Sequence, residues 1–162
     1  MEKKLDQLIT LISDDPDFEI RKQDSGMYAL VVDDDMQGII REDDDGRGIR
    51  MMCTIAEKIP KGVTFDEAQE LFELASGPMF GLPGIGRMPI IGTVIAFHIL
   101  PYWKLTEDKF VEEFNEFLQL AFDWNQKIAE MDDLDLDDED GEDDEDLDED
   151  DFDEDDFDED GE

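Results

Sequence analysis

Histidine and cysteine each occur once in 162 residues, as His98 and Cys53, and basic side chains number 13 against 50 acidic ones. A lone cysteine excludes an internal disulfide framework or a cysteine-rich metal site and suits a reducing compartment. A lone histidine excludes a histidine-rich metal centre. The shortage of bases leaves a formal net charge of −37. Such a chain is repelled by phosphate, which argues against direct binding of nucleic acid or of an anionic membrane surface. No run of 18 apolar residues exists, and the opening MEKKLDQLIT puts Asp6 and Gln7 where a secretion signal needs an apolar core. A soluble, cytoplasmic protein is expected.

The acidity is uneven. Residues 132–162 hold 24 of the acids, no base, and only Leu134, Leu136, Leu147, Phe152 and Phe157 as large apolar groups. The remaining 131 residues carry 26 acids and 13 bases, an ordinary acidic composition. Five apolar side chains cannot offset the entropy of ordering so long a segment, and like charges oppose its compaction. The expected organisation is therefore a domain over 1–131 and a disordered Asp/Glu-rich tail over 132–162. An echo in the tail, FDEDD then FDEDG from Phe152 to Gly161, spaces two aromatics along the acid run. It reads either as a solubilising bristle or as a lure for a basic partner or nucleic-acid mimic.

Within the domain, Leu5, Leu8, Ile9 and Ile12 follow the spacing of one helical face over residues 2–13, and Leu11 lies off it. Short β-type runs follow at Phe18–Arg21, Met27–Val32, Ile39–Ile40 and Ile49–Ile55. Asp-rich, Gly-containing turns separate them. Loops this short dictate an antiparallel meander. Thr64 and Glu67 form a capping box opening a helix to about Ala75, with Phe65, Ala68, Leu71, Phe72 and Ala75 on one side. A Gly/Pro-rich segment over 77–89 still contains Met79, Phe80, Leu82, Ile85 and Met88. Residues 90–100, IIGTVIAFHIL, are apolar on both parities, as in a strand covered on both faces. Thr106 caps a last helix to about 130, striped by Phe110, Phe114, Phe117, Ala121, Trp124 and Ile128. Its apolar arc exceeds what one sheet face requires, and a second subunit is the simplest additional neighbour.

Candidate chemistry is sparse. Asp33, Asp35, Gln37, Gly38, Ile40 and Asp44 mimic a calcium loop, but Gln replaces an acid, Asp44 replaces the bidentate Glu, and the flanks read as strands. Gly81 to Gly86 spans a phosphate-loop distance without the Lys-Ser/Thr that grips phosphate and magnesium. His98 falls in an apolar strand with no partner in sight, and Cys53 shares a strand face with Met51 and Ile55. No nucleophile elbow or metal-ligand spacing appears. The chain is read as non-catalytic and cofactor-free, with Met clusters at Met27, Met36, Met51, Met52 and at Met79, Met88 suited to varied apolar partners.

The order α-β-β-β-α-β-α, an α+β meander flanked by helices, resembles the class I type III secretion chaperones, the Tir-chaperone-like family. The last third carries the likeness: a doubly apolar strand into Leu100-Pro101, then Leu105-Thr106, then FLQLAFDW from Phe117 to Trp124. The YbjN-like domains share a similar element order. The chaperone resemblance implies a small acidic homodimer that holds an unfolded segment of a secreted effector or other client, with apolar patches on the sheet and first helix as the receiving surface. The residues expected to touch a client are Leu5, Leu8, Leu11, Phe18, Ile20, Met79, Phe80 and Leu82. Those expected at a dimer interface are Phe97, Ile99, Phe110, Phe114, Phe117 and Trp124. The alternative is a regulatory or YbjN-like protein whose acidic tail captures a basic partner or mimics nucleic acid.

Overall fold

The computed structural model describes residues 4–33 and 36–137. Asp34 and Asp35 of one acidic turn, and the part of the expected tail from residue 138 on, lie outside the described residues. The elements are α1 (Lys4–Thr10), β1 (Glu19–Lys22), β2 (Tyr28–Asp33), β3 (Met36–Glu42), β4 (Gly48–Ala56), α2 (Phe65–Ser76), β5 (Gly84–Arg87), β6 (Val94–Pro101) and α3 (Glu107–Asp137). Single 3-10 turns over Gly77–Phe80 and Tyr102–Lys104 lead into β5 and α3.

The strands form one antiparallel sheet in the order β1-β2-β3-β4-β6-β5. The α+β class and antiparallel meander expected from the sequence are those found, with two strands more than the expected order. The short Ile39–Ile40 run sits inside a full strand, β3. Gly84–Arg87, inside the Gly/Pro-rich segment, pairs with β6 as the edge strand β5. Residues 90–93 are a turn instead of the start of a strand. The Met88 N–H donates to Thr93 O at 2.8 Å, and Gly92 turns the chain at φ +80°, a left-handed conformation open to glycine.

One face of the sheet holds the core. Leu30, Ile40, Ile49, Met51, Cys53, Ile55, Val94, Ala96 and Leu100 meet Leu5, Leu8, Ile9 and Ile12 of the α1 segment and the α3 stripe, all of them buried. Phe110, Phe114 and Phe117 are fully enclosed, and Trp124, Ile128 and Met131 continue the stripe. Phe18 meets Phe114 edge-on with ring centroids 5.2 Å apart. Each such ring stabilises the fold by about 1.5–3 kcal/mol through burial.

This packing corrects the dimer expectation for the last helix. Phe110, Phe114, Phe117 and Trp124 are buried against the chain's own sheet and offer no surface to a second subunit. The wide arc of α3 is used by α1, the sheet and the Phe18 loop together, and among the residues of the helix up to Met131 only Phe122 is a well-exposed large apolar side chain. The helix also continues to Asp137, past the expected boundary at 131.

Candidate protein-binding surfaces

Among the described residues no helix crosses the opposite face of the sheet. Strand alternation sends Ile39, Met52 and Phe97 to that face, and the register sets them side by side, because Ile39 pairs with Met52 and Met52 with Phe97. Ile95 and Ile99 flank Phe97 along β6, and all five are at least partly exposed. At Gly86 a Cβ would come within 3.2 Å of the Phe97 ring, so that glycine gives the ring its place. Two shallow depressions of about 360 and 330 Å³ lie on this face and share Met52, Met88 and Ile95. At one end Arg50 pairs with Asp43, and Arg41 with Asp44 at 2.8 Å.

A second apolar surface lies at the β5 edge. Helix α2 begins as the sequence predicts: the Thr64 hydroxyl accepts from the Glu67 N–H at 3.3 Å, and the Thr64 N–H donates to the Glu67 carboxylate at 2.8 Å. The bond from the Thr64 N–H, joined by one from the Thr64 hydroxyl to the same carboxylate at 2.9 Å, holds the Glu67 carboxyl below its usual range. Yet α2 buries none of its residues. Phe65 and Phe72 are 81% and 78% exposed, and Met79, Phe80 and Leu82 follow them into solvent. Ile90, at the tip of the β5–β6 hairpin, is 97% exposed, with Ile91 beside it. Isolated exposed apolar residues are ordinary, but this many along one edge mark an interaction surface.

The expected client residues do not converge. Leu5 and Leu8 are core residues on the inner side of α1, which corrects their assignment to a contact surface; Leu11 alone of that set is 44% exposed. Phe18 lines a groove of about 520 Å³ with Val32, Leu118 and Phe122, and Ile20 packs partly buried on β1. Met79, Phe80 and Leu82 sit beside β5 instead. Since β1 and β5 are the two edges of the sheet, five strand spacings separate the groups, about 24 Å. Of the expected dimer residues, Phe97 and Ile99 lie on the open face.

The two groups with catalytic potential are enclosed. Cys53 is fully buried, and burial pushes its thiol up to about 11. His98 is fully buried on the helix side, its Nε2 2.5 Å from Glu113 Oε2. Lys109 Nζ reaches the other Glu113 oxygen at 2.9 Å. Burial alone would raise the Glu113 carboxyl, but the bonds from Lys109 and His98 outweigh it and hold the group below its ordinary value. The arrangement pins α3 to β6.

Sequence reasoning missed Glu113 as the partner of His98, though a signal exists: it falls inside the apolar arc between Phe110 and Phe117, where an acid has to find a buried partner. It also missed Ile39 and Ile95 as surface residues. The signal for Ile95 was present as apolar residues on both parities of 90–100, read as burial on both faces, whereas Ile39 stood in a two-residue run too short to show which face it takes.

Searches with family models and against curated proteins find no match. Solved structures do match. A chain in the structure of the HopA1–SchA chaperone–effector complex aligns with TM-score 0.56 and 19% identity over 75% of this chain and 90% of that one. A chain in the ExsC–ExsE complex aligns with TM-score 0.57 and 14% identity over 77% of this chain and 93% of that one. At these identities the likeness is one of fold, and the class I type III secretion chaperone-like fold read from the sequence is the fold found.

Proposed function

We propose that this protein is a non-catalytic chaperone or adaptor that acts in the cytoplasm as a homodimer and holds an apolar, partly unfolded segment of a partner protein, as in secretion chaperoning. The observation that carries this reading is the six-stranded sheet with helices packed on one face only. The bare face, with Ile39, Met52, Ile95, Phe97 and Ile99, has the composition of an interior without a covering layer. In the dimer a second copy supplies that layer through Phe97 and Ile99. The α2 edge, with Phe65, Phe72, Met79, Phe80 and Leu82, receives the client. Leu11, Phe18 and Ile20 at the far edge extend the track.

Light scattering and hydrophobic-dye uptake at high micromolar concentration test the reading. A dimer that takes up dye is expected; a lone protomer that takes up none refutes it. The second reading, capture of a basic partner by the acidic tail, is favoured by the 24 acids of residues 132–162. Removing residues 138–162 abolishes capture under that reading and spares it under the first. High salt weakens tail-mediated capture and leaves apolar holding intact.

A further inference from the structure

The β5 edge contains a groove that the tail's own sequence fits. It lies between α2 and the β5–β6 hairpin, holds about 280 Å³, and is formed by Ile59, Val63, Leu71, Phe72, Ile85 and Val94, with Arg87 at its lip. That volume is at the bottom of the roughly 300–1,000 Å³ range of small-molecule sites, and its walls offer almost no polar group to orient a ligand. One or two apolar side chains suit it better. The guanidinium of Arg87 and the ammonium of Lys58, next to Ile59, form no ion pair among the described residues. The α2 acids Asp66, Glu70 and Glu73 project from the side of that helix away from Ala68, Leu71 and Phe72, at about 100° per residue. The groove therefore asks for an apolar side chain with a carboxylate beside it.

Residues 147–161 supply that unit three times, as LDEDD, FDEDD and FDEDG. Each places one large apolar residue directly before acids. The tether reaches. Lys127 of α3 pairs with Glu70 of α2 at 2.6 Å, which seats α3 against α2 on the side away from the groove, about one helix diameter from its mouth. From there α3 runs ten residues to Asp137, about 15 Å. Leu147 lies ten residues further on, a span of up to about 35 Å extended, which is enough to double back, and Phe152 and Phe157 have more slack.

We infer that the apolar–acidic repeat of residues 147–161 docks intramolecularly into the α2–β5 groove, its Leu or Phe between Leu71, Phe72, Ile85 and Val94 and its carboxylates against Arg87 and Lys58. The inference deepens the function proposed above and rests on it in one respect: Phe72 belongs to the client surface, so the docked repeat is a tethered competitor of the client.

A nitroxide on Asp155→Cys in the full chain tests this directly, since the Cys53 thiol is fully buried and pushed up to about 11. Amide signals of Leu71, Phe72, Ala75 and Ile85 should weaken about threefold more than those of β1 and β2, and the variant L147S/F152S/F157S should abolish the difference and raise dye uptake about threefold, given the effective concentration of a short tether. Uniform broadening, broadening that survives the triple substitution, or unchanged dye uptake overturns the inference. Mixing spin-labelled protein with a separate isotope-labelled copy identifies the source: broadening of the same signals that persists in the mixed sample means that a second copy's tail is the occupant, which also overturns it. Loss of docking with dye uptake intact defeats this inference alone; absence of dye uptake in both forms defeats the client surface itself.

Discussion

Helices α2 and α3 have similar amphipathic patterns and different fates. Both place aromatic and aliphatic residues at helical spacing, and both open with a side-chain cap, Thr64 for α2 and Thr106 for α3. Helix α3 buries its whole stripe against the sheet, whereas α2 fully buries no residue and packs only Leu71 and Leu74 partly against the core. Periodicity tells which side of a helix wants cover; it does not tell whether the chain itself supplies the cover. Helix α3 lies over β4 and β6 in the middle of the sheet, while α2 packs chiefly beside the edge strand β5. Much of its apolar side is therefore left exposed.

The comparison is most severely tested on α3. Phe114→Ala removes a fully buried ring that also meets Phe18 and Phe110, and denaturant unfolding should show a loss of about 3–5 kcal/mol. The matching change on α2, Phe65→Ser with Phe72→Ser, should leave stability within about 0.5 kcal/mol of the parent and lower dye uptake. Equal destabilisation by the two changes would erase the distinction between the helices.

Glu113→Gln is expected to cost an intermediate amount, about 1–3 kcal/mol, by weakening the bonds to His98 and Lys109. The pH dependence has a fixed sign. The folded protein holds the Glu113 carboxyl below its ordinary value, so the unfolded chain takes up the proton more readily. Stability from this group is present above the ordinary carboxylate range and is lost as pH falls through it to the lower folded value. Unfolding measured at neutral and acid pH should show a shallower loss in Glu113→Gln than in the parent.

The smallest effect concerns Cys53. With its thiol pushed up to about 11 and no exposure, it should resist a thiol reagent at neutral pH until the protein unfolds. Rapid labelling of the folded protein would contradict the burial of the β4 inner face.

The same contrast explains how much of the molecule was legible in its sequence. Helix caps at Thr64 and Thr106, the α3 stripe, and the alternation of Ile49, Met51, Cys53 and Ile55 are local patterns, and each appears in the structure as read. Strand β5 was not legible, because GIGR carries a single apolar side chain and gains its pairing from β6. The contact residues were only partly legible. Leu5 and Leu8 were assigned to a client surface on the chaperone resemblance, and Phe110, Phe114, Phe117 and Trp124 to a dimer interface because the α3 stripe looked too wide for one packing partner, yet several inner elements share them. Met79, Phe80, Leu82, Phe97 and Ile99 remain accessible because no further element of the described chain covers them. Width of a stripe measures appetite for burial, while topology decides who satisfies it.

The central claim is that the α2 edge holds apolar segments of other proteins, and a holding assay tests it most directly. The full protein would be added to a reduced, aggregating test protein and turbidity followed, alongside a folded variant carrying Phe65→Ser, Phe72→Ser, Met79→Ser and Phe80→Ser. Suppression of turbidity by the parent and its loss in the variant is the predicted result. Equal behaviour of the two, whether both suppress aggregation or neither does, would contradict it.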